Sequence, residues 1–352
     1  MDYVRLGNSN LRVSKVILGT AFQRKNTAKQ VLQAAIERGI NTFDTSSDYG
    51  SEEALGKHLS AYQRDNYVLM TKFSSPIHGS KKKSQIVNSN SSGISRKLIY
   101  ASLHNSLKFL RTDYIDIFQL HHPHPLENYE EMIITLENLL AQGKIRYCGL
   151  SNFTQHGLFE MKKNVLSSSR RNIINNGNNL FISNQMYTSA LSGLDKNQIK
   201  LFKRIGLGTI AYGVLAEGLL TMKYHPAFFT GGGDSSLSFK GRLDKKSSYF
   251  VDDFYQPDFV KRLASFCDLA NEIGISPAQL AIAYVNNHSG IDAFLLGATS
   301  REQLDFNIHY LDEVSDFELN SKIDSIFGRD YSGGMLFTKF NRAISRICRR
   351  DL

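Results

Sequence analysis

Residues 114–150 read YIDIFQLHHPHPLENYEEMIITLENLLAQGKIRYCGL. A run of β-branched and aromatic residues (YIDIFQL, 114–120) gives way to a polar break. A helical stretch from Tyr129 to Gln142 follows, ended by Gly143, and a second short run, IRYCGL (145–150), closes the unit. Strand, helix and strand in immediate succession form a crossover, and a crossover joins parallel strands. The same unit recurs in both directions. Upstream lie LGNSNLRVS (6–14), which reads as a hairpin, then KVILGT (15–20) and a helical stretch over 27–38 with Val31, Ala34, Ala35 and the stem of Arg38 on one face. NTFD (41–44), a helix over 52–59, YVLMTK (67–72) and a helix over 95–110 come next; the last carries a stripe of Leu98, Ile99, Ser102, Leu103, Ser106, Leu107 and Leu110. Downstream, FISNQM (181–186), LGTIAY (207–212) and DAFLLGA (292–298) complete eight strand-like segments, each followed by helix. This pattern predicts an α/β protein, a (β/α)8 TIM barrel with an N-terminal β-hairpin, rather than an open doubly wound sheet. No Pro/Gly-rich linker interrupts it, so residues 1–352 read as a single domain.

Composition narrows the class. Of 352 residues, 41% are hydrophobic and 21% charged, which excludes a disordered or fibrous chain. No apolar run approaches the ~20 residues of a membrane span, and the start, Met1-Asp2-Tyr3-Val4-Arg5, lacks a leader pattern, so neither membrane insertion nor secretion is expected. Cys148, Cys267 and Cys348 are odd in number and without CxxC spacing, so no disulfide framework or thiolate zinc site is expected and a reducing cytoplasm fits. The net charge of +9 comes mostly from residues 81–83 and a basic tail, 339–352. Without the aromatic interleaving of RNA binders these read as solvated patches, and no nucleic acid partner is expected. Phe340, Ile344 and Ile347 at helical spacing beside the tail's arginines leave an anionic surface open as its partner. Polar insertions fall at about 74–93, 167–179 and 224–256; the last contains Gly231, Gly232 and Gly233 and reads as a flap.

In such a barrel the strand C-termini carry the chemistry. They end here in Asp44 with Tyr49 five residues on, Lys72, His121, Ser151 with Asn152, Gln185 and Tyr212. A tyrosine hydroxyl is a poor acid, with an ordinary pKa near 10. A neighbouring ammonium stabilises its phenolate, and a carboxylate beyond the lysine keeps that ammonium charged and placed. Asp44, Lys72 and Tyr49 are the residue types for this relay, with His121 donating a hydrogen bond to a carbonyl oxygen or sharing the proton. Two decoys fail on context. GLGTIA (206–211) fits GxGxxA but leads into a strand instead of opening a helix. His121, His122 and His124 sit on a strand exit beside Pro123 and Pro125, only His121 aligns with the relay, and no metal is expected.

The chain resembles the aldo-keto reductase family from about residue 3 to residue 307. The resemblance is carried, in family order, by FDTSSDYG with SEEALGKHL (43–59), VLMTK (68–72), GISRKLIYASLHNSLKFLRTDYIDIFQLHHPHP (93–125), GKIRYCGLSNF (143–153), NQMY (184–187), AYGVLAEGLLTMKY (211–224) and GATSREQLDFN (297–307). It implies the same barrel, a catalytic tetrad of Asp44, Tyr49, Lys72 and His121 with Tyr49 as general acid, and a nicotinamide cofactor, NADPH rather than NADH. It implies cofactor contacts from Gly19 and Thr20, from Ser151, Asn152 and Gln185 at the carboxamide, and from Tyr212 stacked on the nicotinamide. Gly213, Leu215 and Gly218 fall on the pyrophosphate loop, and Gly297, Ser300, Arg301, Gln303 and Asn307 at the adenosine end. Phe22, Phe73 and His122 are the expected substrate walls in a chain without tryptophan. A common family form, AYSPLGRGLLTGK, differs from 211–223 at Gly213, Val214, Ala216, Glu217 and Met222, and Phe306 replaces a frequent acidic residue. The expected activity is reduction of an aldehyde or ketone, with the basic segments favouring a phosphorylated or nucleotide-linked substrate. Barrels resembling this family also serve as cytosolic β subunits of ion channels, so a cofactor-binding regulatory or redox-sensing subunit is the alternative expectation.

Overall fold

The short apolar segments are strands, and their ladders close into a ring. The computed structural model describes residues 1–21, 28–74, 93–124, 128–164, 179–193, 195–222, 257–309, 311 and 317–328. A hairpin of β1 (Tyr3–Arg5) and β2 (Arg12–Ser14) precedes β3 (Val16–Gly19), β4 (Thr42–Asp44), β5 (Val68–Phe73), β6 (Ile115–Leu120), β7 (Ile145–Ser151), β8 (Phe181–Tyr187), β9 (Gly208–Tyr212) and β10 (Ala293–Leu296). The last eight are parallel to their neighbours in that order, and β10 closes on β3. The chain therefore forms the expected (β/α)8 TIM barrel with an N-terminal β-hairpin. Helices α1 (Ala28–Glu37), α2 (Glu52–Leu59), α3 (Arg96–Leu110), α4 (Tyr129–Ala141), α5 (Gln155–Asn164) and α6 (Lys196–Ile205) alternate with strands. Between β9 and β10 lie α7 (Pro257–Ile273) and α8 (Pro277–Asn286); α9 (Arg301–Ile308) and α10 (Phe317–Ile326) follow β10. Polar caps start several of them: the Ser95 hydroxyl accepts from Leu98 N, Asn128 from Glu130 N and Glu131 N, and Ser276 forms a capping box with Gln279.

Strand periodicity sorts the side chains into two layers. Outward-facing Phe43, Leu69, Phe73, Phe118 and Leu150 pack against Val31, Ala34 and Ala35 of α1, Leu103 of α3 and Met132 of α4. Inward-facing Ile17, Val68, Met70, Ile117, Ile182, Ile210 and Ala293 pack instead on Leu6 and Val13. The hairpin therefore plugs the N-terminal end of the barrel with an apolar floor. Two residues further along the same strands, the inward positions become polar: Lys72 follows Met70, Gln119 follows Ile117, and His121 follows Gln119. β8 needs a device to keep this order. Its register on β7 shifts between Cys148, paired with Phe181, and Gly149, paired with Ser183. The extra residue, Ile182, reaches the floor, and the bulge then returns Ser183 and Gln185 to the interior. Gly149 makes room for Ser183 and for Gln119 on the other side, since a β-carbon there would lie 2.8 Å from Gln119 Cγ and 3.0 Å from Ser183 Oγ.

Gly206 and Gly208 of the GLGTIA decoy end α6 and open β9, with no helix for a phosphate to meet. Most of the polar insertions, and all of the basic tail with Cys348, lie outside the described residues. No helix among the described residues is long and apolar enough to cross a membrane. Leu6 is fully buried in the floor. Leu6→Ala is expected to lower unfolding free energy by about 2–5 kcal/mol, read by urea denaturation, because it opens a cavity that rigid strands do not refill.

Candidate active site

A lysine ammonium in the barrel interior needs compensation on every side. Lys72, at the end of β5, is fully buried. Its Nζ donates to Asp44 Oδ1 at 2.6 Å and to Thr45 O at 3.0 Å. The other carboxylate oxygen, Asp44 Oδ2, accepts from Gln185 Nε2 at 3.0 Å and Gln119 Nε2 at 3.2 Å. The turn after β4 is braced by buried hydroxyls: Thr20 Oγ1 lies 2.9 Å and Thr45 Oγ1 3.0 Å from Ser51 Oγ, and Thr20 also donates to Asp44 O at 3.0 Å. Behind β5, Thr71 donates to the buried Glu52 carboxyl at 2.7 Å, and burial raises that group's pKa.

Tyr49 and His121 stand over this ion pair. Lys72 Nζ is 5.1 Å from the centre of the Tyr49 ring, and the Tyr49 hydroxyl is 3.5 Å from His121 Nε2. The two rings meet edge to face at 5.8 Å. His121 is stacked on His122 at 4.3 Å, with planes 10° apart. Desolvation first, then the neighbouring His122 and Lys72, hold His121 well below the ordinary histidine pKa, so its imidazole is neutral near pH 7. The structure thus brings Asp44, Tyr49, Lys72 and His121 together.

Asn152 organises the adjoining side of the mouth. Its backbone is left-handed at φ 65°, a conformation asparagine tolerates. From there its N–H donates to Gln185 O at 2.7 Å, and its Nδ2 donates to His121 O at 2.9 Å and Ser151 Oγ at 3.0 Å. Its Oδ1 accepts from the Tyr212 hydroxyl at 2.7 Å. The Tyr212 ring packs edge to face on Tyr187 at 5.6 Å. Gly213 turns the chain away at φ 74°, where a β-carbon would strike the Tyr187 ring at 2.3 Å. Ser151, Asn152, Gln185, Tyr212 and Gly213 are therefore one contiguous cluster, whose amides are already committed to protein partners.

Beyond Leu215 the backbone stays left-handed at Ala216, Glu217 and Gly218 (φ 47°, 58° and 94°), an arrangement that is costly for the two side-chain-bearing residues. Gly19 and Gly297 end β3 and β10 side by side, a β-carbon on Gly297 falling 3.7 Å from Gly19 O. At the start of α9 the Ser300 hydroxyl caps Gln303 N, and Gln303 Oε1 accepts from Thr299 N at 2.8 Å. Arg301 pairs with Glu37 at 2.6 Å and Asp305 at 3.5 Å. Asn307, almost fully buried, has an Nδ2 with no hydrogen-bond partner among the described residues. A buried amide donor without an acceptor is costly, and this one suits a ligand with ring nitrogens or hydroxyls at that edge.

The expected substrate walls divide. His122 is half-buried beside Asn152, with Nδ1 3.4 Å from Asn152 Nδ2. Phe73 does not face the mouth: strand alternation turns it opposite to Lys72, and it is fully buried under the helices, stacked on Phe118 at 4.7 Å. Phe22 lies outside the described residues. Gln119, Ser46, Asp48 and Ser51 join the site in addition to the residues expected from sequence. Gln119 was legible as the residue two before His121 on one strand face; the others needed the folded turn.

A model described as the Aldo/keto reductase family matches residues 15–327. The aldo-keto reductase YhdN of Bacillus subtilis is 30% identical over 92% of this chain and 91% of its own length. A Bacillus subtilis protein called the uncharacterized oxidoreductase YrpG is 28% identical over 93% and 96%. A putative voltage-gated potassium channel subunit beta of Schizosaccharomyces pombe is 29% identical over 91% and 92%.

Burial, with the charges of His124 and Lys72, lowers the His122 pKa from 6.5 to about 4. As pH falls through that window the unfolded chain takes up a proton that the folded chain refuses, so stability present above 6.5 is lost toward 4. His122→Phe, which keeps a stacking ring, is expected to flatten this fall in denaturant midpoint; an unchanged pH slope would contradict it.

Proposed function

The chain belongs to the aldo/keto reductase family, and from that premise we propose that it is a cytoplasmic NADPH-dependent oxidoreductase, one barrel unit that reduces an aldehyde or ketone to an alcohol. The observation that carries the reading is the buried Lys72–Asp44 ion pair beneath the half-buried Tyr49 hydroxyl. A bound reduced nicotinamide dinucleotide supplies the hydride. Tyr49 supplies the proton to the carbonyl oxygen. The Lys72 ammonium, paired with Asp44, favours the phenolate that remains. Neutral His121 orients the hydroxyl from the other side.

Ser151, Asn152, Gln185 and Tyr212 are the residues to hold the nicotinamide end, exchanging some of their mutual hydrogen bonds for ligand. Gly213, Leu215 and Gly218 would line the pyrophosphate, the Gly218 N–H exchanging its bond to Leu215 O for the ligand, with Gly19 and Thr20 at the edge of β3. Gly297, Ser300, Arg301, Gln303 and Asn307 form the adenosine end, and the unpartnered Asn307 amide supports a ligand there. Arg301 favours a 2′-phosphate over a bare ribose; its pairs with Glu37 and Asp305 are surface pairs, which a phosphate displaces at small cost. The channel-subunit relative supports a second reading, a redox-sensing regulatory subunit. Stopped-flow mixing of the NADPH-loaded protein with carbonyl compounds separates them: repeated turnover supports the enzyme, a single slow oxidation the sensor.

Tyr49→Phe is expected to reduce turnover at least about a hundredfold while NADPH binding, followed by the fluorescence of the cofactor, stays within twofold. Retained turnover in this variant would remove Tyr49 as the donor. Arg301→Ala is expected to weaken NADPH binding about tenfold and leave NADH binding unchanged; equal losses for both would contradict the assigned cofactor preference.

A further inference from the structure

Two glutamine amides donate to one oxygen of Asp44, and they stand at different depths. Ladder register sets Gln185 abreast of Ser151 near the mouth, and Gln119 abreast of Lys72 and Gly149, two residues lower. Gln119 is fully buried, and its Nε2 lies 3.2 Å from Asp44 Oδ2. A carboxylate facing an ammonium accepts and does not donate, so the amide must turn its NH2 there. Its Oε1 then points away and has no partner among the described residues. An unpaired buried acceptor is costly. The side chain also constrains its neighbour, since a β-carbon on Gly149 would lie 2.8 Å from Gln119 Cγ. Methionine has a similar length and leaves no oxygen unpaired, so packing alone does not account for a glutamine here.

We propose that Gln119 is a positioning residue for the reduction: its amide stays on Asp44 when the cofactor recruits Gln185, and so keeps the carboxylate aimed at Lys72. The inference rests on the carbonyl reductase reading, in which Gln185 gives up a bond to hold the nicotinamide end. With Gln185 turned to ligand, Asp44 Oδ2 retains one side-chain donor among the described residues, Gln119. A carboxylate without either amide is free to rotate, which loosens its bond to Lys72 Nζ, 2.6 Å away. The ammonium then keeps Thr45 O as its partner and shifts from the place where it favours the Tyr49 phenolate. Gln119 touches neither substrate nor cofactor; its effect passes through Asp44 and Lys72. The other titratable groups around Lys72 are Tyr49 and His121 above, His122 beside them and Glu52 behind β5. Among the described residues the Gln119 side chain bonds to Asp44 alone.

The test compares steady-state kinetics of the full chain and its variants across pH, with urea denaturation alongside. Gln119→Met is expected to lower kcat about tenfold, the effect of one lost aligning hydrogen bond, with carbonyl KM within about twofold. Its urea midpoint should equal or exceed that of wild type, and the alkaline limb of its kcat profile should move to higher pH. Gln119→Glu offers Asp44 a hydrogen only while its carboxyl is protonated. Its turnover should approach wild type in acid and fall as pH rises. Ser183→Ala removes another fully buried polar group of the same layer and should keep the wild-type profile. Wild-type kcat and pH profile in Gln119→Met, or an equal loss in Ser183→Ala, overturns the proposal. Should the methionine variant not fold, a glutamate variant whose activity relative to wild type is the same at every pH overturns it as well. Wild-type protein that transfers hydride to no carbonyl compound is a different failure, and it removes the reductase reading together with this inference.

Discussion

An ammonium ion fully withdrawn from water is the constraint around which the upper half of this barrel is arranged. Lys72 Nζ has a carboxylate and a carbonyl as partners, and the carboxylate is itself saturated by two glutamine amides. Asp44, Lys72, Gln119 and Gln185 come from β4, β5, β6 and β8, so one charge ties together strands far apart in the chain. Truncating one partner of such a pair strands the other charge, at about 3–5 kcal/mol. The apolar floor below, closed by Leu6 and Val13, supplies the stability that lets the mouth carry this polar cluster.

The mouth is prebonded. Asn152 joins β7 to β8, to the His121 backbone and to Tyr212, and α9 caps itself through Ser300 and Gln303. A dinucleotide would therefore bind by exchange of hydrogen bonds, which lowers the net gain per contact but keeps the groups oriented beforehand. The left-handed run at Ala216, Glu217 and Gly218 is the strained part of that surface. The Asn307 amide, without a partner among the described residues, is a place where ligand would add a bond without breaking one.

Much of this was legible in the chain. Period-two alternation in VLMTK and IDIFQL puts Lys72, Gln119 and His121 on the inner face, and Gly143 and the helix stripes mark the crossovers. The outward face of Phe73 follows from the same alternation, which makes its expected place in the pocket an error of parity. The bulge at Ile182 was not legible, because FISNQM has no glycine or proline to signal an inserted residue. The pairing of Arg301 with Glu37 was hidden for another reason: it joins α9 to α1 across the closure of the barrel, a contact no local pattern encodes. Ser46, Asp48 and Ser51 lie between β4 and α2, where no periodic pattern orients side chains, and only the fold gives them directions.

The account comes down to hydride and proton meeting at one carbonyl over Tyr49. Reduced cofactor carrying deuterium at the transferable position, mixed with the protein and a carbonyl compound, tests this by mass spectrometry of the product. The account predicts one deuterium on the former carbonyl carbon for each cofactor oxidised. Oxidised cofactor accumulating without labelled alcohol would contradict it.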